Sequence, residues 1–257
     1  MIQMIYPMET YSTKYGKVTL YKNDVYISQP FKEGSYWDID TLLKLLHYID
    51  PDRNILEIGG HCGTSSLIYA SFITKKIFVY EPQKNMYQLL QQNISQNNLQ
   101  DKIIPYHKGV FCYEGKGTMN NIDLDGGGGV VTKRYTEEND LQCNFGGIGL
   151  GVEGEEVELT TLDKMNLPDI GYIHCDAQGS ESFIFSHGIE TLARCRPIIY
   201  YENKELGDIH LYNNVCKTYP QYTVESTFDI KKYCMETLGY SYFIDRFNGG
   251  LDTLLIP

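Results

Sequence analysis

Short apolar runs alternate with amphipathic stretches along most of this chain, and that alternation predicts an α/β fold. Residues 54–58 (NILEI), 76–80 (KIFVY), 102–105, 171–176 (GYIHCD) and 197–201 (PIIYY) are brief and mostly apolar. Runs of that kind suit strands buried on both faces of a parallel sheet. Between them the period changes. Residues 67–72 continue a helix, Met86, Leu89, Leu90 and Ile94 recur at helical spacing before an Asn97-Asn98 stop, and Phe183, Ile184 and Leu192 mark a further helix. Ahead of the first run, residues 17–28 alternate as two short strands turning at Lys22-Asn23-Asp24. Asp38 or Asp40 then caps a helix that carries Leu42, Leu45, Leu46 and Ile49 on one face and ends at Pro51. At the far end, 240–246 pairs with 251–256 across Asn248-Gly249-Gly250, which gives the sheet an antiparallel strand.

The pattern breaks down once. Residues 112–156 hold Gly126 to Gly129, then Gly146-Gly147, Gly149, Gly151 and Gly154, with few regularly spaced apolar positions. An insertion of that length in a compact domain predicts a lid or substrate loop. The expected organisation is one domain over 1–257, with 1–50 as an N-terminal extension and 112–156 as the glycine-rich insertion.

Composition narrows the function. The chain has 257 residues and a formal net charge of −11. That balance works against capturing phosphate backbones, so no nucleic-acid partner is expected. No run approaches the roughly 18 apolar residues of a membrane span, and residues 1–12 lack a signal peptide's basic start and apolar middle. The expectation is a soluble, cytoplasmic protein without a membrane partner. Seven scattered cysteines with no C-x-x-C imply reduced, mostly buried thiols rather than a disulfide framework or a zinc knuckle.

The chemistry concentrates where strands end. Residues 54–67 (NILEIGGHCGTSSL) run from an apolar strand carrying Glu57 into Gly59-Gly60, His61 and Gly63, and then into a helix. A strand feeding a helix through glycines exposes backbone N–H groups to a ligand. A dinucleotide fingerprint would place glycines at 61 and 64, where His61 and Thr64 stand. The spacing E-x-G-x-x-x-G fits an S-adenosylmethionine loop better, although the loop alone is equally compatible with an ordinary strand–turn–helix corner. Glu81-Pro82 ends the next strand, 24 residues after Glu57, close to the roughly 20-residue offset at which such sheets place a ribose-binding acid. A third acid, Asp176, ends the GYIHCD strand, with His174 on the same side.

Together these segments resemble the FkbM-like family of S-adenosylmethionine-dependent O-methyltransferases. The resemblance runs from TKYGKVTLYKNDVYIS through NILEIGGHCG, IFVYEPQKNMYQLLQQNISQNN and VELTTLD to YIHCDAQGSE and PIIYYEN. It implies a Rossmann-like class I sheet of seven mostly parallel strands, the last antiparallel. It implies S-adenosyl-L-methionine as cofactor: Glu57, Gly59 and Gly63 about the methionine moiety, Glu81 at the ribose, Gly109 and Val110 at the adenine, with Gly60, His61 and Pro82 also in the cofactor site. Asp176 would stand beside both methyl group and acceptor. Glu181, Glu202 and Asn203 are candidates for the acceptor pocket. The implied reaction is O-methylation of a sugar, glycan or other small molecule. The alternatives are a non-catalytic cofactor-binding module of a glycan-building assembly and, given the missing third glycine, less readily an NAD-dependent oxidoreductase. The family commonly has lysine where His174 stands and often glutamate at Gln178.

Attack by a hydroxyl needs a general base, and His174 is the candidate, oriented and kept basic by Asp176. His174 and Asp176 are two ligands without an evident third, so no metal is expected.

Overall fold

The computed structural model describes residues 7–24, 26–121, 123–124, 144–207 and 209–257. Twelve strands are described: β1 (Met8–Thr13), β2 (Gly16–Tyr21), β3 (Asn54–Ile58), β4 (Ile77–Tyr80), β5 (Ile103–Tyr106), β6 (Gly109–Val110), β7 (Gly115–Asn120), β8 (Glu153–Thr160), β9 (Ile170–Cys175), β10 (Ile198–Glu202), β11 (Tyr242–Asp245) and β12 (Asp252–Ile256). The principal helices are α1 (Ser28–Lys32), α2 (Ile39–Leu45), α3 (Thr64–Phe72), α4 (Lys84–Gln96), α5 (Glu181–Ser186), α6 (Ile189–Cys195) and α7 (Ile209–Thr218).

The main sheet has seven strands in the order β11-β12-β10-β9-β3-β4-β5, and β12 runs antiparallel to both of its neighbours. This is the expected class I methyltransferase sheet. Its two faces sort by the strand period of two. Ile55, Val79, Tyr172, Tyr200 and Leu254 pack under α2, α3 and α4, whereas Leu56, Phe78, Ile173, Cys175 and Ile199 pack against α5, α6 and the segment after residue 230. Strand order reverses beside β3, the place where ligands bind outside the carboxyl ends of such sheets.

Four local expectations are corrected. The N-terminal hairpin is β1–β2, turning at Lys14-Tyr15 with Gly16 at φ 118° opening β2, and not residues 17–28. β1 is largely exposed, so it carries little apolar alternation to read. Asp38 precedes α2, but it sits in the left-handed region and makes no side-chain capping bond to the backbone. The apolar stretch near 183–192 divides into α5 and α6 at Gly188. The 112–156 insertion also has regular structure of its own: β7 and the start of β8 join β6 in a three-stranded sheet packed on α5 and α7 through Phe111, Phe183 and Val215. Residues 125–143, including Gly126 to Gly129 and Cys143, lie outside the described residues, as do Met1 to Tyr6.

The extension is tied to the sheet by Asn93, which is fully buried in α4. Its Oδ1 accepts the Thr19 N–H at 2.7 Å, while Nδ2 donates to the carbonyls of Thr19 (3.1 Å) and Cys62 (2.8 Å). The six described cysteines are all free, and five are buried. Among the described residues no helix is long and apolar enough to cross a membrane.

Candidate active site

A cavity of about 510 Å³ lies along the carboxyl edge of the main sheet. That is a volume typical of small-molecule sites. Its wall brings together Gly59, Gly60, His61, Glu81 and Pro82 at one end. Gly109 and Val110 border it, and His174, Asp176 and Glu202 stand towards the other end of the strand row.

At the first end the loop after β3 folds over the end of β4. Glu81 Oε2 accepts the His61 N–H at 2.8 Å, and Oε1 accepts the Gln83 N–H at 2.7 Å. Burial pushes the Glu81 carboxyl up to about 8, against the pull of these two donors. His61 takes a left-handed backbone at φ 48°, and burial holds its ring down near 4, in the neutral form. Its Nδ1 lies 3.2 Å from Cys62 Sγ, and its Nε2 is buried without a partner among the described residues. Gly59 has φ 83°, and a Cβ there would stand 1.8 Å from the carbonyl oxygen of Asp176. The backbone of this loop can therefore lie against the end of β9 only because residue 59 has no side chain.

Glu57 and Gly63 lie behind the wall. The Glu57 carboxylate accepts from the hydroxyls of Ser65 and Ser66, which fixes the first turn of α3, and burial raises it to about 7. Ser65, and not Glu57, reaches the cavity. Gly63 precedes α3 in the left-handed region.

At the other end the expected His174–Asp176 partnership gives way to a different one. His174 Nδ1 lies 2.7 Å from the Tyr69 hydroxyl, and the ring packs edge-on to Tyr200 at 5.0 Å. Burial lowers His174 to about 4, so the expected gain in basicity from a neighbouring carboxylate is overturned by desolvation. Asp176 instead accepts from the Gln178 amide at 2.7 Å. Gln178 has φ 52° and, like His61 and Asp38, is a non-glycine residue held in the left-handed region beside the cavity. Asn203 turns away to donate to Thr253 at 2.9 Å, and Glu181 lines a small neighbouring recess that it shares with Glu202.

The sequence reading missed Tyr26, Trp37, Asp38, Tyr200 and Asp252 as wall residues. Tyr200 donates to Asp252, whose carboxyl burial raises to about 7. Asp38 had a local signal, an acid just before a helix, but the signal suggested a cap. Asp252 follows a turn, and only the pairing of β12 with β10 brings it to Tyr200. Among the described residues the wall includes no Lys or Arg, and Asp38, Asp176, Glu202 and Asp252 give it four carboxyls besides Glu81.

The sequence model of the FkbM methyltransferase domain matches residues 57–241, which include both ends of the cavity except Tyr26, Ile27, Trp37, Asp38, Leu42 and the β12 edge. The chain belongs to the FkbM methyltransferase family. No protein of curated function matches it in sequence. Among solved structures, the FkbM methyltransferase of Methylobacillus flagellatus is similar at 11% identity and a TM-score of 0.49, over 80% of this chain. This FkbM-family chain spans 44% of that protein's length. A methyltransferase of Geobacter sulfurreducens is similar at 10% identity and 0.43, over 84% of this chain and 75% of its own. An O-methyltransferase of Bacillus cereus, solved in complex with SAH, is similar at 13% identity and 0.42, over 85% and 79%.

Proposed function

We propose that this chain is an S-adenosylmethionine-dependent O-methyltransferase whose acceptor is a hydroxyl of a sugar or another small molecule. The observation that carries the reading is the single cavity that links the Glu81–His61 loop with His174 and Asp176. One end has the features of a nucleoside site: a carboxylate oriented by two backbone N–H groups, a glycine loop at a strand end and an unpartnered buried imidazole nitrogen. Glu81 would hold the ribose hydroxyls, Gly109 and Val110 the adenine, and the Gly59–His61 loop the methionine part. When bound, S-adenosylmethionine supplies a methyl group already activated by its sulfonium.

The protein's part is then alignment and proton removal. Well-oriented reactants can gain roughly 7–11 kcal/mol from positioning. Asp38, Asp176, Glu202 and Asp252 accept hydrogen bonds from a polyol, and Trp37 and Tyr200 supply aromatic faces. A carboxyl-rich wall without Lys or Arg suits neutral acceptors better than phosphorylated ones. His174 takes the proton: in the tautomer that donates Nδ1–H to Tyr69, Nε2 carries the lone pair. A general base is typically worth about 10²–10⁴-fold, and a ring lowered to about 4 by burial belongs at the low end of that range.

Calorimetry with S-adenosylhomocysteine tests the first half of the reading, and a methyl-release assay on a panel of sugars and hydroxylated small molecules tests the second. Absence of S-adenosylhomocysteine binding refutes the cofactor assignment. Binding without turnover on any acceptor favours a non-catalytic cofactor-binding module.

A further inference from the structure

We propose that Asp176, Glu181 and Glu202 form a binding site for one hard divalent cation, such as Mg²⁺ or Mn²⁺, at the acceptor end of the cavity. The ligand role goes beyond the methyltransferase reading, and cation binding stands or falls independently of it.

The three residues converge from separate elements. Asp176 follows β9 and Glu202 ends β10, and these neighbouring parallel strands are in register at Cys175 and Tyr201, so both acids leave the same sheet edge side by side. The short turn after Asp176 then returns Glu181 to them as the first residue of α5. The Glu181 Oε1 accepts the Ala177 N–H at 2.7 Å, which fixes the orientation of its carboxylate. One oxygen from each of the three lies within 4.8 Å of the others. Oxygens bound about 2.0–2.5 Å from a common ion stand apart by that order of distance. Oxygen-only donors favour Mg²⁺, Mn²⁺ or Ca²⁺ over zinc, which prefers sulfur and imidazole.

A second observation points to a ligand here. Ser180 is 1% exposed and lines the cavity, yet its hydroxyl has no hydrogen-bond partner among the described residues. Buried hydroxyls are rarely left unsatisfied. The side-chain oxygen of Gln178 is likewise buried without a partner, while its amide nitrogen donates to Asp176. A hydrated ion supplies what both oxygens lack, either as a direct contact or through its water. Lys204 lies in the field of Glu181, but its ammonium donates to the Ser226 carbonyl at 2.9 Å and sits 4.4 Å over the Tyr212 ring. It is thereby engaged away from the carboxylates.

Asp176 and Glu202 line the main cavity, and Glu181 and Glu202 line the recess beside it. An ion between them would turn its remaining coordination positions towards the acceptor. On the O-methyltransferase reading it would bind the acceptor hydroxyl and make that proton easier to remove.

The test is titration of the purified full-length protein with Mn²⁺ alone, followed by electron paramagnetic resonance of the free ion. The proposal expects one bound Mn²⁺ per chain, displaced by excess Mg²⁺. Glu202→Gln and Asp176→Asn, which preserve side-chain shape, should each weaken binding by about tenfold or more. Thermal melts of the same samples verify folding, and Glu181→Gln provides a third variant if one of these fails to fold. No loss of free signal at about 1 mM Mn²⁺, the weak end of protein affinities for such ions, overturns the site, as does affinity unchanged across the folded variants. Calorimetry with S-adenosylhomocysteine on the same preparations reports separately on the methyltransferase reading, because Mn²⁺ binding without it would retain the ion site and remove its catalytic role.

Discussion

The Tyr69 hydroxyl lies 2.7 Å from Nδ1 of His174, joining helix α3 to strand β9 beneath the His174–Asp176 end of the cavity. This contact takes the place that the local sequence assigns to Asp176. The difference matters because a tyrosine hydroxyl, able to donate or accept, holds the ring without adding charge. When the hydroxyl accepts Nδ1–H, Nε2 keeps the lone pair that proton acceptance requires.

Tyr69→Phe should therefore lower kcat by about three- to tenfold, the range of one lost neutral hydrogen bond. S-adenosylhomocysteine affinity should remain unchanged, because Tyr69 does not line the cavity. Steady-state kinetics and calorimetry on one preparation separate the two. A loss of cofactor binding, or no effect on turnover, would remove the positioning role.

Glu81→Gln replaces one of the two carboxyl oxygens by an amide nitrogen, which cannot accept both the His61 and Gln83 N–H groups. S-adenosylhomocysteine should bind about 10- to 100-fold more weakly, in line with one buried donor left unsatisfied. Calorimetry measures this directly, and wild-type affinity in the variant would contradict the ribose assignment.

Glu57 and Glu81 are carboxyls raised by burial, to about 7 and about 8. For such groups the folded state binds more protons than the unfolded state between the ordinary carboxyl value and the raised one, so stability falls as pH rises through that window. The ligand-free protein should melt at progressively lower temperature from about pH 6.5 to pH 8, above the range in which His61 and His174, held neutral by burial, oppose the two acids. Glu81→Gln should flatten the upper part of that slope. Differential scanning fluorimetry across a pH series checks both, and a melting temperature that rises over this range would show that the two acids are not governed by burial.

Asn93→Ala leaves the Thr19 N–H and the Cys62 carbonyl without their buried partner. The loss should be about 2–3 kcal/mol in a denaturant titration. Asn93 joins the β1–β2 extension to the loop that precedes α3, so S-adenosylhomocysteine affinity should fall with it. A variant as stable as wild type would mean that the extension is held by apolar packing alone.

Gly59→Ala sets a Cβ against the Asp176 carbonyl and puts an L side chain in the left-handed region. The chain must open at the β3–β9 edge to admit it. Cofactor binding should be lost in calorimetry and the melting temperature lowered, whereas Gly34→Ala, with nothing within 4 Å of the added Cβ, should show only the backbone strain.

What the sequence determined alone was the set of buried elements and the order in which they come. NILEI, KIFVY and GYIHCD are short apolar runs that can satisfy their backbone only in a sheet covered on both faces. The glycines at 59, 60 and 63 break the first of them where a ligand loop belongs. Strand-end acids follow from the same logic, and Glu81 and Asp176 were both readable. The tertiary structure decided which of these groups meet. Tyr69 and His174 are 105 residues apart in the chain, and β10 with β12 brings Tyr200 to Asp252 across a crossover. Asp176, Glu181 and Glu202 gather because β9 and β10 are neighbours in register. Sequence periodicity reports which face of its own element a residue occupies. Strand order, chosen by burial of the whole sheet, sets the partner on the next element, and with it the charge and proton balance of the cavity.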